Sequence, residues 1–186
     1  MSQLFTEGFL RIEDDFLLYI QNLRCNAMDM IMIFVTSLGD KGFIWIAAAL
    51  VLLFIKKHRK DAAKILTALL INAVTVNLIL KPLVMRPRPF DMIDGLTTII
   101  AEPQDWSFPS GHTSSSFAAG LILLMKLPPK YGIPAILTAV MIAFSRVYAG
   151  VHYPSDVIAG ALIGMTAALA SDKIIDKIET VRKIRK

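Results

Sequence analysis

The chain offers almost no sulfur chemistry. Among 186 residues, Cys25 is the single cysteine, which excludes an internal disulfide and a thiolate metal site. Cys25 reads as a packing residue and not as a nucleophile. The sequence has no repeat of fixed period, no low-complexity tract and no linker, so one domain over 1–186 is expected. The first residues, Met-Ser-Gln-Leu-Phe-Thr-Glu-Gly, lack the basic region of a signal peptide. The first membrane helix is therefore expected to target the chain.

Apolar residues are abundant. They make up 55% of the chain, and the mean hydropathy is +0.57, too high for an ordinary soluble domain of this size. Apolar runs recur between short charged or proline-containing breaks. This pattern predicts an all-α polytopic membrane bundle.

Residues 8–23 space their apolar positions as a helix while carrying Arg11, Glu13, Asp14 and Asp15. They predict an N-terminal amphipathic helix at the membrane interface. Six spans are expected over 26–170, at 26–38, 43–55, 62–84, 110–124, 132–149 and 154–170. The first is the weakest, because it carries Asp29 and falls short of the roughly 20 residues a bilayer needs. Gly39-Asp40-Lys41-Gly42 reads as the turn after it. His58 reads as part of a solvated charge run, and Asn72 and Asn77 as bonds across helices. Pro109 and Pro154 suit helix starts, and Gly150 suits a helix end. Residues 85–108 form a long loop, and such loops are usually functional. A basic tail, 171–186, closes the chain.

With both termini on one side, 15 of the 20 lysines and arginines share that side, which makes it cytoplasmic. A multi-pass protein of the cell membrane is expected, with cytoplasmic termini. The charge of +5 then reflects topology and anionic lipid, not nucleic-acid binding. Nothing in the sequence sets an oligomeric state.

The ionisable residues at span ends cluster on the opposite, outer face. Ser110 and Gly111 offer backbone N–H groups at a helix mouth, a site for an anion. The same residues also fit an ordinary cap beside an incidental histidine. Lys81, Arg88 and Arg146 supply cations for the three equatorial oxygens of a phosphoryl group in transfer, although Lys81 and Arg88 could equally snorkel to headgroups. His152 and Asp156 are four apart, so the carboxylate can orient the ring; such a pair can also be purely structural. A neutral His152 can attack phosphorus, and a protonated His112 can serve the leaving oxygen. No metal or other cofactor is expected.

Three stretches together carry a resemblance: Lys81-Pro-Leu-Val-Met-Arg-Pro-Arg88-Pro89, Pro109-Ser-Gly-His112, and Ser145-Arg146 followed by His152 and Asp156. In order and spacing they resemble the signature of the type 2 phosphatidic acid phosphatase (PAP2) family, over about residues 36–170. The resemblance implies metal-independent removal of phosphate from a lipid phosphate or pyrophosphate. It makes His152 the nucleophile, His112 the acid/base and Asp156 the orienting carboxylate. Lys81, Arg88, Ser110, Gly111 and Arg146 would bind phosphate. Undecaprenyl pyrophosphate ranks first as substrate, ahead of phosphatidylglycerophosphate and phosphatidic acid. A lipid-phosphate binding or flipping protein explains the cations but gives no reason for the His152–Asp156 pair.

Overall fold

The structure is a computed structural model that describes residues 2–184, with side chains from residue 11. Its described residues form helices and the loops between them, without strands. The helices are α1 (Ser2–Asn22), α2 (Asn26–Leu38), α3 (Phe43–Phe54), α4 (Arg59–Ala73), α5 (Lys81–Val84), α6 (Pro89–Met92), α7 (Gly111–Lys126), α8 (Pro129–Tyr148) and α9 (Pro154–Ile184). A π-helical stretch, Val74–Leu80, joins α4 to α5. Such wide turns occur mostly at functional sites, because the extra residue rotates the face that follows. Lys81, next along, points inward and is buried.

α7 is the central helix and packs chiefly on α8 and α9. Its buried face is built of small residues, among them Ser114, Ala118 and Ala119, which lets backbones approach closely. Gly164 of α9 shows how closely: a Cβ there would lie 2.2 Å from the Ser114 carbonyl oxygen. The apolar core of Trp45, Leu52, Ile65, Ile122 and Ile142 joins α3, α4, α7 and α8. At one end of the bundle, buried Lys64 pairs with Asp172 and Asp176, and Lys126 joins Asp172 at 2.8 Å. Lys81, Arg88, His112, Arg146 and His152 lie together at the other end, hereafter the functional end.

Six spans are not confirmed by helix length and composition. Three helical stretches among the described residues are long and apolar enough to cross a membrane, and four if α2 and α3 form one. The turn at 39–42 bends the path by 43° where a hairpin would reverse it. The contacts follow this course: Asp29 meets Tyr148, Thr36 meets Arg146, Trp45 meets Ser116, and Leu52 reaches the core near Leu123. α2 and α3 thus run on in one direction, bent at 39–42. α7, with 16 residues, is too short to pass the same length test.

The bend also moves the N-terminal segment. From Glu13 to Arg24 the chain crosses the functional end, with Glu13 on Ser155, Gln21 on Thr97 and Arg24 on the Tyr148 carbonyl. The end of α9 meets Lys60 at the opposite end. These two segments therefore lie on opposite sides of the bundle, not on one side as the six-span reading required.

Smaller expectations also changed. Cys25 is exposed. His58 is half-buried and bonds Asp61 at 2.8 Å. Asn72 Oδ1 is buried with no partner among the described residues. The last predicted span and the tail form one unbroken helix, α9, which opens at Pro154 as expected. Gly150, at φ 74°, takes the left-handed conformation that ends α8.

Candidate active site

Lys81, Arg88, Gly111, His112, Arg146 and His152 line one cavity of about 1090 Å³. α5 and the loop after it bring the first two, α7 opens with the next pair, and the α8–α9 junction brings the last two. Toward the bundle interior the cavity wall turns apolar, with Ile46, Leu66, Leu69 and Leu70.

His152 is buried, 1% exposed. Its Nδ1 lies 3.4 Å from Asp156 Oδ2, which assigns the ring proton to Nδ1 and leaves the Nε2 lone pair for the cavity. Asp156 is itself held from several sides. Oδ2 accepts the Tyr153 N–H at 3.0 Å and the Ser107 hydroxyl, and Oδ1 accepts Arg86 Nη1 at 2.7 Å. Arg88 Nη1 sits 3.4 Å from His152 Nε2 and donates to the Val151 carbonyl at 2.7 Å.

The cations are not equivalent. Lys81 and Arg88 share Asp105, which accepts Arg88 Nη2 at 2.6 Å. Arg146 is 3% exposed and has no carboxylate within salt-bridge distance among the described residues. Its Nη1 donates to Thr36 Oγ1 at 2.6 Å, and its Nε is buried without a partner. An unpaired buried charge is costly, and this guanidinium lines the cavity.

His112 bonds Asp40 Oδ1 through Nε2 at 2.9 Å. Gly39 makes room for this ring, since a Cβ would fall 2.8 Å from His112 Cδ2. Ser110 departs from its expected place. It is the N-cap of α7 and its Oγ accepts from Thr113. Its own N–H is taken by the Asp156 carbonyl at 3.1 Å, and it does not line the cavity. Pro109 accordingly precedes the cap and is not the first helical residue. Ser114 N–H bonds the Ser110 carbonyl, which leaves Gly111 and His112 with the N–H groups that lack intrahelical acceptors.

A family model described as the PAP2 superfamily matches residues 61–178, which span this whole constellation except Asp40 and Thr36. The chain belongs to the PAP2 superfamily. An undecaprenyl-diphosphatase of Sulfolobus acidocaldarius is 33% identical over 158 residues, covering 82% of this chain and 76% of that protein. Among solved structures, Aquifex aeolicus LpxE superposes with a TM-score of 0.76 at 29% identity, covering 86% of this chain and 93% of that one. The PAP2-type phosphatidylglycerolphosphate phosphatase of Bacillus subtilis gives 0.77 at 22% identity, covering 95% and 90%, and shares the fold.

The PAP2 motifs do not include Asp105, Asp40, Ser107, Thr36 or Glu13, and Arg86 lies inside the first motif stretch without an assigned role, so the sequence alone assigns none of them to the site. Asp105 and Arg86 are two of several charges in the long loop at 85–108. Asp40 sat in what read as a plain turn.

The PAP2 site is also legible in its titration. Burial pushes the His152 pKa down to about 3; Asp156 opposes the fall, and Arg146 and Arg88 add to it. Burial alone would raise the Asp105 carboxyl, but Lys81 and then Arg88 outweigh it and hold it at about 2. His152 is therefore neutral at pH 7. Between about pH 6.5, the ordinary histidine value, and pH 3 the unfolded chain takes up a proton that the folded site refuses. Stability from this residue is present above that window and is lost as pH falls through it. Asp105 adds a loss only below about 3.8. Melting temperature should drop between pH 7 and 4.5, and His152→Gln should flatten the drop; identical slopes would contradict the assignment.

Proposed function

We propose that this chain is a membrane lipid phosphatase that hydrolyses a lipid phosphate or pyrophosphate through a phosphohistidine, without metal. The observation that carries the reading is the neighbourhood of His152 Nε2: it faces a cavity with three cations on one wall and apolar helix surface on another. That pairing suits a phosphate on a long hydrocarbon. The His152–Asp156 pair, backed by Ser107 and Arg86, gives catalysis a basis that a binding or flipping protein does not need.

In the proposed course, Arg146, Arg88 and Lys81 hold the phosphoryl oxygens with the Gly111 N–H. The Nε2 lone pair of His152 attacks phosphorus. A P–N bond forms as the P–O bond to the leaving group breaks, and His112 gives its proton to the departing oxygen. His112 then takes a proton from water as that oxygen attacks phosphorus. The P–N bond breaks, inorganic phosphate leaves, and both histidines return to their starting states.

Undecaprenyl pyrophosphate is the preferred substrate, supported by the undecaprenyl-diphosphatase similarity over most of the chain. Phosphatidylglycerophosphate and phosphatidic acid are the alternatives. The test is a phosphate-release panel with these lipids, using purified protein in detergent with chelator present. Release from the polyprenyl pyrophosphate ahead of the others is expected. No release from any of them would overturn the enzyme reading.

The site is proposed to face outward. Moving Arg11 and Arg24 to the site side of the bundle leaves 13 of the 20 lysines and arginines opposite it, so the opposite side is still the positive one. α1 is then an interfacial helix on the outer face, with Ile12, Phe16, Tyr19 and Leu23 exposed toward lipid. Of the two terminal segments, only the end of α9, which meets Lys60, is then on the cytoplasmic side. Exposed Cys25, the single cysteine, reports on this directly. An impermeant thiol reagent should label it from outside intact cells, with Cys25→Ser as the blank. Labelling only after lysis would reverse the orientation.

A further inference from the structure

The support behind His152 does not stop at Asp156. It continues to α1, which lies wholly outside the family match at 61–178. Glu13 is 3% exposed, while Asp15 beside it is exposed. With Leu17 and Ile20 it forms the buried stripe of α1. Packing alone would be served by another apolar residue there, and burying a carboxylate is costly unless it is fully bonded.

Glu13 is fully bonded. Its Oε1 accepts the Ser155 backbone N–H at 2.7 Å, and its Oε2 accepts the Ser155 hydroxyl at 3.0 Å and Arg86 Nη2 at 2.8 Å. Ser155 is the second residue of α9, so its N–H has no acceptor within the helix. Glu13 therefore caps α9 from a different helix. Arg86 spends its other nitrogen on Asp156 Oδ1 at 2.7 Å and lies 3.8 Å over the Tyr153 ring. Residues 153, 155 and 156 are thus clamped together from outside the cavity, and neither Glu13 nor Arg86 lines it.

We propose that Glu13 of α1 is a positioning residue for the reaction: with Arg86 it fixes the start of α9 and the Asp156 carboxylate, and through them the ring of His152. Without Glu13, Asp156 is the one carboxylate left within salt-bridge distance of Arg86 among the described residues, and Arg86 draws Oδ1 toward itself, turning Oδ2 away from His152 Nδ1. The first turn of α9 also loses its cap. The nucleophile stays present but is no longer aimed. A misplacement of this kind costs rate in the chemical step and leaves the cations that bind phosphate untouched.

This inference rests on the phosphatase reading, and the experiment separates the two. The full chain in detergent is assayed on polyprenyl pyrophosphate. If the parent protein releases no phosphate from this lipid or from the other lipids of the panel, the phosphatase reading fails. If it turns over, Glu13→Gln should lower kcat by about 10- to 100-fold with KM unchanged. Leu17→Ala is the structural control: it loosens the same helix by packing alone and keeps the Glu13 oxygens, so it should lower the melting temperature with a much smaller loss of kcat. An unchanged kcat in Glu13→Gln overturns the proposal. So does a rise in KM at constant kcat, or a Leu17→Ala protein that loses kcat equally at equal thermal destabilisation. Should Glu13→Gln fail to fold, Arg86→Gln cuts the same chain of contacts at its next member and is judged by the same three criteria.

Discussion

His152→Ala is expected to abolish phosphate release while leaving the bundle folded. The side chain sits in the loop between α8 and α9, and the helix contacts that hold the bundle lie elsewhere, in the apolar core and the Lys64–Asp172 cluster. Removing a nucleophile that acts with a triad of partners costs roughly 10⁴- to 10⁶-fold in kcat. Alanine also removes the ring that Asp156 orients, so Asp156→Asn added to His152→Ala should cost nothing more, since the two act as a unit. The acid-labile phosphoenzyme of the parent, trapped by rapid quench with labelled substrate, should be missing from the variant. Retention of more than a few per cent of the parent rate would reassign the bond-forming atom.

Arg146→Lys is expected to be the next most damaging change, even though the charge is kept. Arg146 is buried at the end of α8, donates to Thr36 and has no carboxylate within salt-bridge distance among the described residues. Lysine places one point charge where a planar fork stood and cannot bond Thr36 and a phosphoryl oxygen in the same geometry. Loss of one preorganised donor to the transition state costs about 2.7–4 kcal/mol, or roughly 10²- to 10³-fold in kcat. Arg88→Lys should be as severe for a different reason: Arg88 also carries the Asp105 and Val151 contacts, so its loss should lower the melting temperature as well. A rate for Arg146→Lys within a few-fold of the parent would remove it from the clamp.

Much of this molecule was readable along the chain. Apolar runs of helical length, broken by charge and proline, determine a helical membrane protein, because a backbone in lipid must bond to itself. The three motifs brought Lys81, Arg88, His112, Arg146 and His152 into consideration together, and all five line one cavity. Helix ends were legible too. Pro154 opens α9 and Gly150 follows α8, since both signals act through the local φ of one residue.

Tertiary structure decided the rest, and the reason is distance along the chain. Gly39-Asp40-Lys41-Gly42 signals a break, but the same residues serve a reversal or a bend. Lys41 and Gly42 both take positive φ, and the packing of Trp45 on Ser116 and of Met32 on Tyr148 sets the outcome at 43°. That angle carries α1 to the functional end. Ser110 was expected to offer its N–H to an anion, but the Asp156 carbonyl, brought alongside by α9, takes it. Glu13 meets Ser155 across 142 positions and Arg86 across 73. Side-chain type and local spacing determined which chemistry the chain holds. Which carboxylate faces which cation depended on helices crossing, and no window of sequence contains both partners.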